Sequence, residues 1–186
     1  MPGIGSEAYL VYALMVNDCP DTMDGASPNP SLSTLLLRSY ERVVGQSLVP
    51  VELGKAAAAR WLYEDAPFCI LAHNTQADPV FVYANKTAQR CFEYPWAEFT
   101  ALPSRLSAEA PNRAERQDLL DKVAQHGFAS GYTGLRISRS GRRFYIEDGT
   151  VWQLLDDHGV SHGQGAMVPR WRDVATCQTN VQVCGG

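Results

Sequence analysis

A chain of 186 residues, 45% hydrophobic and 19% charged, is long enough for one well-buried domain and short for two; its composition excludes a wholly disordered chain or a coiled coil. The formal net charge of -4 argues against a nucleic-acid partner, since proteins that bind one carry a basic face. No apolar run approaches the roughly 20 residues of a spanning helix, so no membrane partner is expected.

Cys19, Cys69, Cys91, Cys177 and Cys184 are an odd set with wide spacing and no C-x-x-C pair. That excludes a zinc ribbon or thioredoxin-type motif and points to reduced thiols in a cytoplasmic compartment. The apolar run 8–16 has Glu7 ahead of it and no basic residue before Arg38, so it does not read as a secretion signal.

In chain order, residues 1–30 read as a flexible segment, because 17–31 holds Pro, Asp and Gly with little to bury. Helix spacing then begins with Leu32, Leu35, Leu36, Val43 and Val44, with Ser31 or Ser33 as the cap and Gly45 as the stop. A second helix runs over 51–63, so 31–66 forms an N-terminal helical extension. A strand over 68–73, turn residues over 74–79 and a strand over 80–83 make a hairpin. Asn85 stands where strand becomes helix and is assigned as a structural N-cap. Ala88, Cys91 and Phe92 share that helix's face, and Trp96, Phe99 and Leu102 mark a short amphipathic turn. A helix over 113–126 buries Leu119, Leu120 and Val123. Three strands follow, over 132–138, 143–155 and 163–171, before a loose tail over 172–186. In the long strand, Phe144, Ile146, Thr150, Trp152 and Leu154 share one face at period two. The order predicts an α+β fold, a five-stranded antiparallel sheet with helices on one face.

The passage VFVYANKTAQRCFEYPWAEF resembles the entry of a PAS domain, and LLDDHG with GQGAMV resembles its closing hairpin. The phrases HNTQADP, YAN, LPSRLSAE and SGRRF together resemble the MEKHLA domain, a PAS-related family, over about residues 33–171. That family ends plant homeodomain–leucine zipper proteins and also occurs alone. With neither homeodomain nor zipper here, the likeness is to the stand-alone form, and DNA binding does not carry over. The resemblance implies a PAS-like domain over 67–171 with a non-enzymatic sensory or regulatory role, acting through a small ligand between sheet and helices or through protein association. It names no ligand or cofactor. The rival reading is a flavin- or haem-binding redox or photosensory protein.

Residue by residue, the light-sensing PAS motif has no counterpart, since LPSRLS lacks its Cys. His126, near a helix end, is the position of a haem ligand or of a dipole-compensating His. His158 and His162 lie in a turn rather than on a helix, so no metal site is assigned. Cys69 and His73 are about 13 Å apart along a strand, and no G-x-S-x-G elbow exists, so no catalytic residue is assigned. Arg142 and Arg143 point to opposite faces of their strand and read as solubilising charge. A candidate pocket is drawn from Cys91, Trp96, Phe99, Arg105, Thr150, Trp152 and Gln164, with Arg105 at its mouth or capping a loop. The same residues would equally make a packed core. The helix over 32–44 carries more leucine than one stripe needs, because Leu36 and Leu37 cannot both face the side of Leu32; this predicts a homodimer, or else a helix folded over its own sheet.

Overall fold

Asn29 opens the structure. Its Oδ1 accepts the Ser31 N–H at 2.9 Å, so Asn29 rather than a serine caps the first helix, α1 (Pro30–Val44). Pro30 sits in the first turn, where its missing N–H costs nothing. The computed structural model describes residues 29–49, 53–109 and 113–174, with side chains from 117 onward in the last stretch. The expectations for residues 1–28, for 175–186 and for Cys19, Cys177 and Cys184 lie outside them.

After α1 come α2 (Lys55–Glu64), β1 (Cys69–His73), β2 (Phe81–Ala84), α3 (Lys86–Phe92), α4 (Trp96–Phe99) and a 3-10 turn (Ser104–Ser107). The chain then forms α5 (Arg113–His126), β3 (Phe128–Ile137), β4 (Arg143–Leu155), β5 (Ser161–Val168) and β6 (Arg170–Asp173). Helix α2 starts at Lys55, later than the expected 51, with Gly54 at its N-cap. Strand β3 starts at Phe128, directly after Gly127, whose φ of 90° turns the chain from helix into sheet.

The sheet is antiparallel, in the order β2-β1-β5-β4-β3, with β6 also on β4. Six strands stand where five are expected because Pro169, which has no N–H to give, divides the closing strand. Residues 172 and 173, read from the sequence as tail, belong to β6. The register runs through the break: Glu147 pairs with Arg170 and Thr150 with Met167.

At the level of Pro169, Asp148 has a φ of 54°, the left-handed region. Here both strands shift their alternation by one residue. Phe144 and Ile146 face a core with Cys69, Leu71, Phe92 and Phe99, whereas Trp152 and Leu154 face Leu36, Tyr40 and Ile70 on the other side. The single face expected for Phe144, Ile146, Thr150, Trp152 and Leu154 is therefore two. Period two predicts a shared face only while φ stays negative along the strand.

The sheet is covered on both sides. Helices α3 to α5 form the inner layer, and α1 and α2, the N-terminal extension, form the outer one. All five residues of β1 are buried as a result. Leu36 is 0% exposed against its own sheet, and Leu32, Leu35, Leu37, Val43 and Val44 pack around it. The helix folds over its own domain through Leu36, while Leu32, Leu35, Leu37, Val43 and Val44 stay partly exposed.

Candidate functional site

Between the inner face of the sheet and α5 lies a cavity of about 50 Å³. Leu71, Phe81, Ile146 and Val168 line its sheet side, Phe92 of α3 adds to the lining, and Leu119 and Leu120 of α5 close it. Its polar lining is His73, Ser107, Tyr132, Arg136 and Gln164.

Cross-strand pairing positions two of these groups. His73 on β1 faces Gln164 on β5, so the two side chains share the inner face. The Gln164 amide donates to the Leu120 carbonyl at 3.0 Å, linking sheet to α5. Its Oε1 is buried and receives no hydrogen bond among the described residues. His73 Nδ1 donates to the Asn74 carbonyl at 2.9 Å, which fixes the ring's orientation. Gln153 adds a second tie, from its amide to the Val123 carbonyl at 3.2 Å.

On β3, Tyr132, Gly134 and Arg136 alternate onto the same face. A side chain at Gly134 would collide with the Tyr132 hydroxyl, so glycine lets the ring lie along the strand. The hydroxyl thereby accepts from Arg136 Nη2 at 3.3 Å, and the guanidinium sits 5.3 Å from the ring centroid. Arg136 is only 7% exposed.

Of the seven residues proposed from sequence, Gln164 lines this cavity and the others lie elsewhere. Trp152 points to the outer face, where its Nε1 donates to Ser39 Oγ at 3.0 Å and Tyr40 meets it edge-on at 4.9 Å. Thr150 donates to Ser130 Oγ at 3.1 Å. Trp96 packs edge-on against Tyr63 at 5.5 Å, and Phe99 lies between Phe81 and Phe92. Cys91 is buried beside Cys69. The contact with Cys91, together with burial, pushes the Cys69 thiol well above its usual pKa, so Cys69 is held as the neutral thiol. Arg105 makes a two-pronged ion pair with Asp78 at 3.0 and 3.1 Å on the surface, so the phrases HNTQADP and LPSRL meet through it.

Asn85 is 0% exposed and caps α3, its Oδ1 accepting from Ala88 N at 2.9 Å. It does more than cap. The same oxygen accepts from Ile70 N at 3.0 Å, and the amide donates to the Leu62 carbonyl at 3.2 Å and the Phe68 carbonyl at 2.8 Å. One side chain joins α2, β1 and α3.

Around the rim, Arg142 holds Glu93, Asp173 and the Cys91 carbonyl, while Arg143 holds Glu109 at 2.8 Å. Ser140, Arg142 and Ser138 bring the Glu93 carboxyl down to about 2. His162 and the Val160 amide bring Asp156 down to about 2. Among the described residues no cluster of His, Cys, Asp or Glu could hold a metal ion, and His126 is exposed.

The polar lining that sequence reasoning missed is His73, Ser107, Tyr132 and Arg136. Leu135 and Ile137 flank Arg136 and suggest that they face inward and the arginine outward; the structure has the reverse, with Arg136 buried and both neighbours partly exposed.

A family model described as the MEKHLA domain matches residues 30–173. The chain belongs to the MEKHLA family. Over 111 residues this MEKHLA domain is 29% identical to the homeobox-leucine zipper protein ATHB-14 of Arabidopsis thaliana and 26% identical to ATHB-9 of the same plant. Each match covers 60% of this chain and 13% of the relative, so the chain spans a small part of those proteins. Among solved structures it is similar to a PAS domain from Colwellia psychrerythraea, with a TM-score of 0.53 and 14% identity over 64% of this chain and 95% of that one. It is also similar to a fungal LOV domain photoreceptor, with a TM-score of 0.50 and 15% identity over 75% and 91% of the two chains. These two likenesses establish the PAS-like fold.

The fold invites a flavin or a haem, and the residues present do not fit either. A cofactor-sized site occupies roughly 300 Å³ or more, several times the cavity here. Cys91 is sealed into the core beside Cys69, and His126 faces solvent away from the cavity.

Proposed function

We propose that this MEKHLA domain is a non-enzymatic sensory or regulatory module that binds a small molecule between its sheet and α5 and relays occupancy through that helix. The observation that carries the reading is the cavity itself, apolar in most of its lining, with a buried Gln164 oxygen left to accept a hydrogen bond. The relay is α5. It is held to the sheet by Leu119, Leu120, Val123 and Val151 and by the amides of Gln153 and Gln164, so a ligand touching Leu120 and Gln164 acts on the helix directly. The output is association with a protein partner, a second copy included. Among the described residues no helix is long and apolar enough to cross a membrane. The buried reduced thiols Cys69 and Cys91 suit a cytoplasmic setting.

Xenon, which enters apolar cavities, tests the reading. Methyl NMR spectra under xenon pressure should shift the resonances of Leu119, Leu120, Ile146 and Val151 and leave those of Leu36 and Leu154 in place. Unmoved inner-face methyls would show a packed core and overturn the proposal.

A further inference from the structure

Among the described residues, every arginine on the strands meets a carboxylate except the most buried one. Arg143 pairs with Glu109, Arg170 with Asp148 and Arg172 with Glu147, and these side chains are 58–65% exposed. Arg136, at 7% exposure, meets no carboxylate among the described residues. Its bonds go to the Leu135 carbonyl at 2.8 Å and the Tyr132 hydroxyl at 3.3 Å.

A guanidinium cannot shed its proton, and leaving it buried without an anion is strongly unfavourable. An exposed arginine tolerates that state in water; Arg136 has little water to draw on. It lines the cavity. The missing anion therefore has a place to sit.

Resting on the cavity as the ligand site, we infer that its ligand is a small organic carboxylate gripped by Arg136. The guanidinium fork matches a carboxylate through two parallel N–H···O bonds. Tyr132 braces the fork from one side, in a position that Gly134 makes possible. The apolar walls accept a short carbon chain, and inorganic anions leave them unused. A water molecule needs about 10–15 Å³ of such space, so 50 Å³ holds roughly three to five non-hydrogen atoms, the size of acetate or propionate.

The test is thermal unfolding of the whole chain with sodium propionate, against equal sodium chloride and against 1-propanol. Propionate should raise Tm saturably, and chloride should not. Arg136→Met should weaken propionate binding about tenfold to a hundredfold, as for a lost hydrogen bond to charge, while the unliganded variant keeps or exceeds the parent's Tm. Arg136→Lys keeps the charge but loses the fork, and should also bind more weakly. Absence of a propionate effect on the parent overturns the inference whether or not the variants fold. So does an Arg136→Met protein that is less stable without ligand, because the arginine then has a counter-ion in its own chain. If 1-propanol stabilises parent and Arg136→Met alike while propionate does not, the cavity binds ligands and the carboxylate inference alone fails. If neither probe binds, both readings fail.

Discussion

On the outer face of the sheet, Trp152 is 0% exposed, its N–H is satisfied by Ser39, and Tyr40 and Leu36 pack around it. On the inner face, the α5 side holds a cavity and, among the described residues, a buried amide oxygen that accepts nothing and a buried arginine that meets no acid. The same strands supply both faces. The outer layer seals Trp152 and satisfies its N–H within the chain, as a core built for stability does, and only the Tyr83 hydroxyl in that layer is buried without a hydrogen bond among the described residues. The inner layer leaves polar groups wanting partners, which is costly unless something else provides them. On the function proposed above, stability and ligand sensing are divided between the two sides of one sheet.

The contrast can be broken first at Trp152. Trp152→Ala empties a sealed site and removes the N–H that Ser39 Oγ accepts, so urea unfolding should show a loss of roughly 3–5 kcal/mol. A loss below about 1 kcal/mol would mean that the outer face is loosely packed. Asn85 comes next. As a simple cap it would be worth about 1 kcal/mol, but Asn85→Ala would leave the buried Ile70 N–H and the Leu62 and Phe68 carbonyls without this partner. Unfolding should therefore register about 3 kcal/mol, with ligand binding by the folded fraction unchanged. A cost near 1 kcal/mol would reduce Asn85 to a cap.

The sequence carried the fold further than it carried the site. Strand propensity around 68–83, the Asn85 junction and the stop at Gly127 are local signals, and local signals place elements. The phrases around Asp78 and Arg105 were legible as a family likeness, although their mutual ion pair was not. What could not be read is which way a strand faces after a backbone irregularity. Asp148 looks like any acidic strand residue, yet its positive φ moves Thr150 and Trp152 to the outer layer and away from Cys91 and Phe99. Arg136 was hidden for a related reason. Hydrophobicity assigns Leu135 and Ile137 inward, whereas the register with β4 places Arg136 opposite buried Phe144. Gln164 enters the candidate pocket through the rival flavin reading, as a conceivable ring contact on the last strand, and no local signal gives the direction it faces.

The central claim is that the inner face is the working face and the outer face the scaffold. Amide hydrogen exchange on the whole chain, with and without sodium propionate, tests it most directly. Among the described residues, helix α5 rests on few apolar contacts and two side-chain amides, so its amides should exchange faster than those of α1 and the Trp152 half of β4, and propionate should slow α5 selectively. If α5 is as protected as α1 without ligand, and propionate changes neither, the division between the two faces is wrong.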